Sequence, residues 1–96
     1  MDKFKEIKSN KKMLEKLIYK VGSEVYGCWK ENHTINFIAG KVKKVSIYVT
    51  NNTTVIYTIR TNDGVNFNVI EENVHSNLQM ISERMEVLIK EIEKDK

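Results

Sequence analysis

The residues able to do chemistry are few and scattered: Cys28, His33, His75, the adjacent Glu71 and Glu72, and basic residues grouped around Lys43. Covalent catalysis needs a nucleophile within hydrogen-bond reach of a base. No Ser-His-Asp or Cys-His grouping occurs at a spacing that short strands and turns would bring together. Cys28, next to Trp29, reads as a small buried apolar residue, because free cysteine is among the most buried types. Glu71 and Glu72 are neighbours in a turn and point apart, which suits charge compensation at a helix start better than paired acid-base work. His33 and His75 each lack a second histidine or cysteine about three to five residues away, so a zinc site is not expected. The phosphate-loop patterns GxxxxGK[ST] and GxGxxG are absent. No catalytic residue, metal or cofactor is expected, and the chain reads as a protein that binds without turnover.

Binding chemistry has better material. Lys41, Lys43, Lys44 and Arg60 could line one sheet face with Tyr48, giving the cations and the stacking ring that hold phosphates and bases of a single strand. Tyr26 and Trp29 are further aromatic candidates, so the expected ligand residues are Lys43, Lys44, Tyr48, Arg60, Tyr26 and Trp29. Against this, the five basic residues between Val21 and His75 meet five acidic ones, and arginine, the better phosphate fork, occurs twice in the chain. The basic excess lies earlier, where seven lysines meet three acidic residues from Asp2 to Lys20, a balance of +4 within a net charge of +3. Such a run is usually a solvated face.

These residues need elements to position them. Phe4, Ile7, Leu14, Ile18 and Val21 fall at helical spacing, with Lys11 in the seam, and predict an amphipathic helix over residues 2–20 that Gly22 stops. From Val21 to His75 the pattern turns to short strands. Segments 24–29 and 35–39 flank turn-type residues, and Val45, Ile47 and Val49 alternate with polar neighbours in a strand over 41–50. Val42 breaks that parity, which predicts a bulge near Lys43 and Lys44. Thr54 to Thr61 presents Val55, Tyr57 and Ile59 on one face. Asp63-Gly64 is a strong hairpin signal leading into Val65, Phe67 and Val69. Ser76 with Gln79 suggests a capping box opening a helix over 76–95, in which Leu78, Ile81, Met85, Leu88 and Ile92 repeat as a heptad seam suited to an oligomer interface.

Val21-Gly22-x-x-Val25-Tyr26, Ile38-x-Gly40-x-Val42-x-x-Val45-x-Ile47, Tyr57-x-Ile59, Asp63-Gly64-x-x-Phe67 and Glu71-Glu72-x-Val74 together resemble the small five-strand barrels of the Tudor and KOW type, which are similar to Src-homology-3 domains. The resemblance covers about the middle half of the chain. It implies a closed barrel and a binding module, with ligands held at an aromatic cluster or a strand edge.

The expectation is therefore one α+β domain over residues 1–96. It has a small antiparallel five-strand β-barrel over 21–75, flanked by N-terminal and C-terminal amphipathic helices. A chain of this size often gains stability by pairing with a second copy, so a homo-oligomer is expected. The single cysteine fits a reducing compartment, and no apolar run approaches a membrane span, so the cytosol, of a bacterial host, is the expected place. Lys-, Asn- and Ile-rich, proline-free composition suggests an AT-rich genome. The functional expectation is a phage or mobile-element accessory factor, acting against host defence, that binds or sequesters a host protein or an anionic signalling nucleotide. The alternative is a nucleic-acid-binding module.

Overall fold

The computed structural model describes residues 19–49 and 53–94. Strand β1 spans Glu24–Glu31, β2 Thr34–Val49, β3 Thr53–Thr61, β4 Asn66–Ile70 and β5 Val74–His75. A single 3-10 turn, Glu71–Asn73, separates β4 from β5, and helix α1 spans Leu78–Lys94. All pairings are antiparallel, in the order β4-β3-β2-β1-β5.

Side-chain alternation divides the sheet into two faces. On the inner face Val42 lies opposite Ile59, Val45 opposite Tyr57 and Ile47 opposite Val55, and Tyr57 and Ile59 continue across to Val69 and Phe67. Together with Tyr19, Val25 and Val74 these build the main core. A Cβ on Gly27 would sit 3.2 Å from Ile59 Cδ1 and 3.3 Å from Val69 Cγ2, so β1 crosses close to β3 and β4 and the sheet curls around its own inner face. The outer face of β1 and β2 holds a second cluster, in which Cys28, Tyr26 and Ile35 pack against Ile81, Met85 and Leu88 of α1.

At the heart of the main core the Tyr57 hydroxyl donates to Glu71 Oε2 at 2.8 Å, and its ring meets Tyr19 edge-on at 5.7 Å. Burial first, and then the bond to Glu71, push the Tyr57 phenol well above its ordinary range, so it stays protonated in the folded chain. The unfolded chain ionises this group near about pH 10, and above that pH the folded state binds the extra proton. Stability should therefore fall as pH rises past that value. The Tyr57→Phe variant should lose stability less steeply between about pH 9 and 11 in urea titrations. Equal slopes for the two proteins would show that this hydroxyl is not held as described.

Several expectations need correction. The sheet is not a barrel: β4 pairs only with β3 and β5 only with β1, so the ladder ends at two open edges. Closure would require β4 to pair with β5, but β5 has only two residues, Val74 and His75, and they pair with Gly27 and Tyr26 of β1. The N-terminal helix expected over 2–20 falls almost wholly outside the described residues. Its last two positions, Tyr19 and Lys20, are not helical, and among the described residues the one α-helix is α1. The segments expected as separate strands, 35–39 and 41–50, are one continuous strand, and the fifth strand is Val74–His75, beyond the last strand expected, that of Val65, Phe67 and Val69. Asn77, not Ser76, caps α1, its Oδ1 accepting from the backbone N–H of Gln79 at 2.7 Å.

Candidate functional site

Helix α1 packs over β1, β5 and the first part of β2, which leaves the outer face of the rest of β2, of β3 and of β4 open to solvent. The strand register assembles this face in rows. Lys41 lies opposite Arg60, which lies opposite Asn66; Lys44 lies opposite Thr58 and then Asn68; Tyr48 lies opposite Thr54. Thr58 Oγ1 donates to Asn68 Oδ1 at 2.7 Å, tying two of these strands across the face.

The local cause of the cationic character is the bulge. Val42 pairs with Ile59 and Lys44 with Thr58, so Lys43 is an extra residue in β2. Val42 and Val45 both point inward, and the two lysines between them are both exposed. An unbulged strand would have sent one of that pair into the core. Lys41, Lys43, Lys44 and Arg60 thus sit on or beside one surface, and among the described residues none of the four enters an ion pair. Glu24, opposite Lys41, is the carboxylate at the end of the first row. Tyr48, 56% exposed, closes the other end with a free ring.

The expected ligand residues separate accordingly. Lys43, Lys44, Tyr48 and Arg60 are brought together on this face. Tyr26 shares the outer side but lies by α1, its ring stacked on Phe37 at 5.7 Å. Trp29 is on the inner side, against Phe67 at 5.5 Å, and belongs with the main core. Asn66 and Asn68, which add polar groups to two rows, went unnoticed as site residues; their alternation with Phe67 and Val69 was the available signal. Of the expected oligomer seam, Ile81, Leu88 and Ile92 are buried, Met85 is half-buried and Leu78 is exposed.

Two grooves adjoin the sheet. One, about 280 Å³, lies between Glu24, Tyr26, Lys41 and Ser76 at the head of the cationic strip. The other, about 410 Å³, is lined by Thr53, Thr54, Glu71 and Glu72 among others and carries no cation. Among the described residues no group of three His, Cys, Asp or Glu side chains could hold a metal ion. Cys28 is fully buried, and burial pushes its thiol up, which makes it a poor nucleophile. Among the described residues no helix is long and apolar enough to cross a membrane.

The fold and face together define a small β-sheet protein with a helix on one half of its outer side and an exposed cationic strip on the other. No protein-family model, no curated protein and no solved structure matches the chain, and nothing among them identifies a Tudor or KOW family.

Proposed function

We propose that the chain is a non-catalytic binding protein whose ligand surface is the outer face of β2, β3 and β4, and that the ligand is an extended polyanion, best matched by single-stranded nucleic acid. The observation that carries this reading is the set of four basic side chains, without ion-pair partners among the described residues, on one exposed surface that also bears Tyr48. An outer face of a sheet that curls toward its inner side is not concave, and that shape decides between ligands. An anionic signalling nucleotide calls for a concave site with several donors converging on its phosphates, and the groove at the head of this strip sets Lys41 against Glu24. Rows two residues apart along a strand, about 6.6 Å, suit a chain of phosphates crossing the face instead. In this reading the protein acts by occupancy, the mode expected of an accessory factor that blocks or sequesters.

The test uses the full chain and a fluorescent oligothymidine of about 20 nucleotides, titrated by anisotropy at several salt concentrations. Log affinity should fall linearly with log salt. The Lys44→Glu/Arg60→Glu variant should bind at least about tenfold more weakly and lower the slope by about 1.4, the value for two lost phosphate contacts on a single strand. A wild-type protein that does not bind at low salt, or a double variant that binds unchanged, would remove the proposal.

A further inference from the structure

The groove at the head of the cationic strip, about 280 Å³, is bordered by polar groups that the fold does not use. Glu24, Tyr26, Ala39, Lys41, Asn62 and Ser76 are among the residues that line it. Glu24 and Lys41 face each other across β1 and β2, and Tyr26 and Ala39 form the next row on the same side. Tyr26 is held in place, because it packs with the α1 cluster and its ring is stacked on Phe37. Glu24, Lys41, Asn62 and Ser76 are exposed, and among the described residues none of these four side chains makes a hydrogen bond or an ion pair. Opposite charges directly across two antiparallel strands attract each other. Here they stay unpaired, with the groove between them.

Such a pair selects its ligand. Glu24 repels a phosphate and Lys41 repels a simple cation. An ammonium only donates and a carboxylate only accepts, through two oxygens, so together they offer one donor beside two acceptors. Guanine carries the complement on one edge, with the O6 acceptor next to the N1–H and N2–H donors. Adenine and cytosine have one donor on that edge and leave a carboxylate oxygen unmatched. Thymine sets its N3–H between two carbonyl oxygens, which a carboxylate repels. Tyr26 and Ala39 supply apolar surface for the base, and the Asn62 amide can donate or accept at the rim. The place is also right for a strand already on the sheet. Arg60 lies opposite Lys41 on β3, one strand spacing of about 4.8 Å away, so a base in the groove leaves its phosphate within reach of the strip.

We propose that this groove takes one guanine base of the strand that crosses the strip, Glu24 accepting from N1–H and N2–H and Lys41 donating to O6. The inference rests on the single-strand reading above, and its test separates the two. The full chain is titrated with fluorescent oligothymidine of about 20 nucleotides, all thymine or with one central guanine. The guanine strand should bind at least about tenfold more tightly, the discrimination of one good bidentate contact. Adenine, cytosine or hypoxanthine at the same position should lose most of that gain, hypoxanthine because it lacks the 2-amino group. Glu24→Gln should abolish the gain without weakening the binding of oligothymidine, which also shows that the variant is folded. Oligothymidine binding with no gain from guanine overturns this inference and leaves the strip in place. A gain that survives Glu24→Gln, or one that adenine matches, overturns it too. A protein that binds neither strand overturns both readings.

Discussion

Replacing Gly40 by valine is expected to cost the chain a large share of its stability. Gly40 lies opposite Thr61 where β2 crosses β3, and a Cβ there would stand 2.8 Å from the Arg60 carbonyl carbon and 3.0 Å from Ile59 Cγ2, with the Arg60 carbonyl oxygen in direct collision. The obstacle is backbone of the neighbouring strand, which cannot swing aside as a side-chain tip can. Room can come only from separating β2 from β3 beside Ile59, a fully buried residue of the core. Overpacking of this kind costs about 3 kcal/mol or more, a large share of the roughly 5–15 kcal/mol that holds a domain together. The melting temperature should drop by about 12 °C or more. Gly27→Ala is the matched comparison: its added methyl would meet the ends of Ile59, Val69 and Ile38 at 3.2 to 3.4 Å, side chains that can shift, and the loss should be smaller. A Gly40→Val protein that melts within about 2 °C of wild type would mean that the two strands do not approach as described.

Ile81→Asp should release α1 from the sheet. Ile81 is 1% exposed and packs with Cys28 and Leu88 in the outer cluster. A carboxylate placed there is removed from solvent, and Arg84, the cation that acts on Cys28, is already engaged by Asn73 and Glu72; leaving the charge buried costs several kcal/mol, about as much as undocking the helix. The sheet keeps its separate inner core, so the expected product has an intact β signature, reduced helical content and a Cys28 thiol that reacts with a disulfide reagent. Wild-type Cys28 should react at least about a hundredfold more slowly, because it is reached only by opening. A variant as helical and as unreactive as wild type would show that the helix does not seat on this cluster.

Much of this arrangement was legible in the residues. The inner and outer faces of β3 follow directly from alternation at Val55, Tyr57 and Ile59, and the parity break at Val42 located the bulge that exposes Lys43 and Lys44. Gly40 misled, because glycine marks both turns and close backbone contacts, and only the position of the Arg60 carbonyl distinguishes the two. The β5 pairing was hidden because two residues, Val74 and His75, carry no periodicity; what defines them is pairing with Gly27 and Tyr26. The heptad seam of α1 was read correctly as apolar, yet periodicity cannot say what an apolar stripe meets, and most of it meets the sheet. Trp29 was a ligand candidate by type alone. Its parity with Val25 and Gly27 would have placed it inward. Closure of a sheet depends on whether its two end strands meet, and no local pattern encodes that.

The outer side of the sheet is covered by α1 over β1 and the start of β2 and left bare over the rest of β2 and over β3. Thiol labelling of a single Lys44→Cys variant reads both halves at once, since Cys28 lies under the helix and residue 44 on the cationic strip. In the native protein the introduced thiol should react at nearly the rate of a free peptide while Cys28 stays protected until denaturant is added. Fast labelling of Cys28, or protection of both thiols, would contradict the arrangement and with it the proposed binding surface.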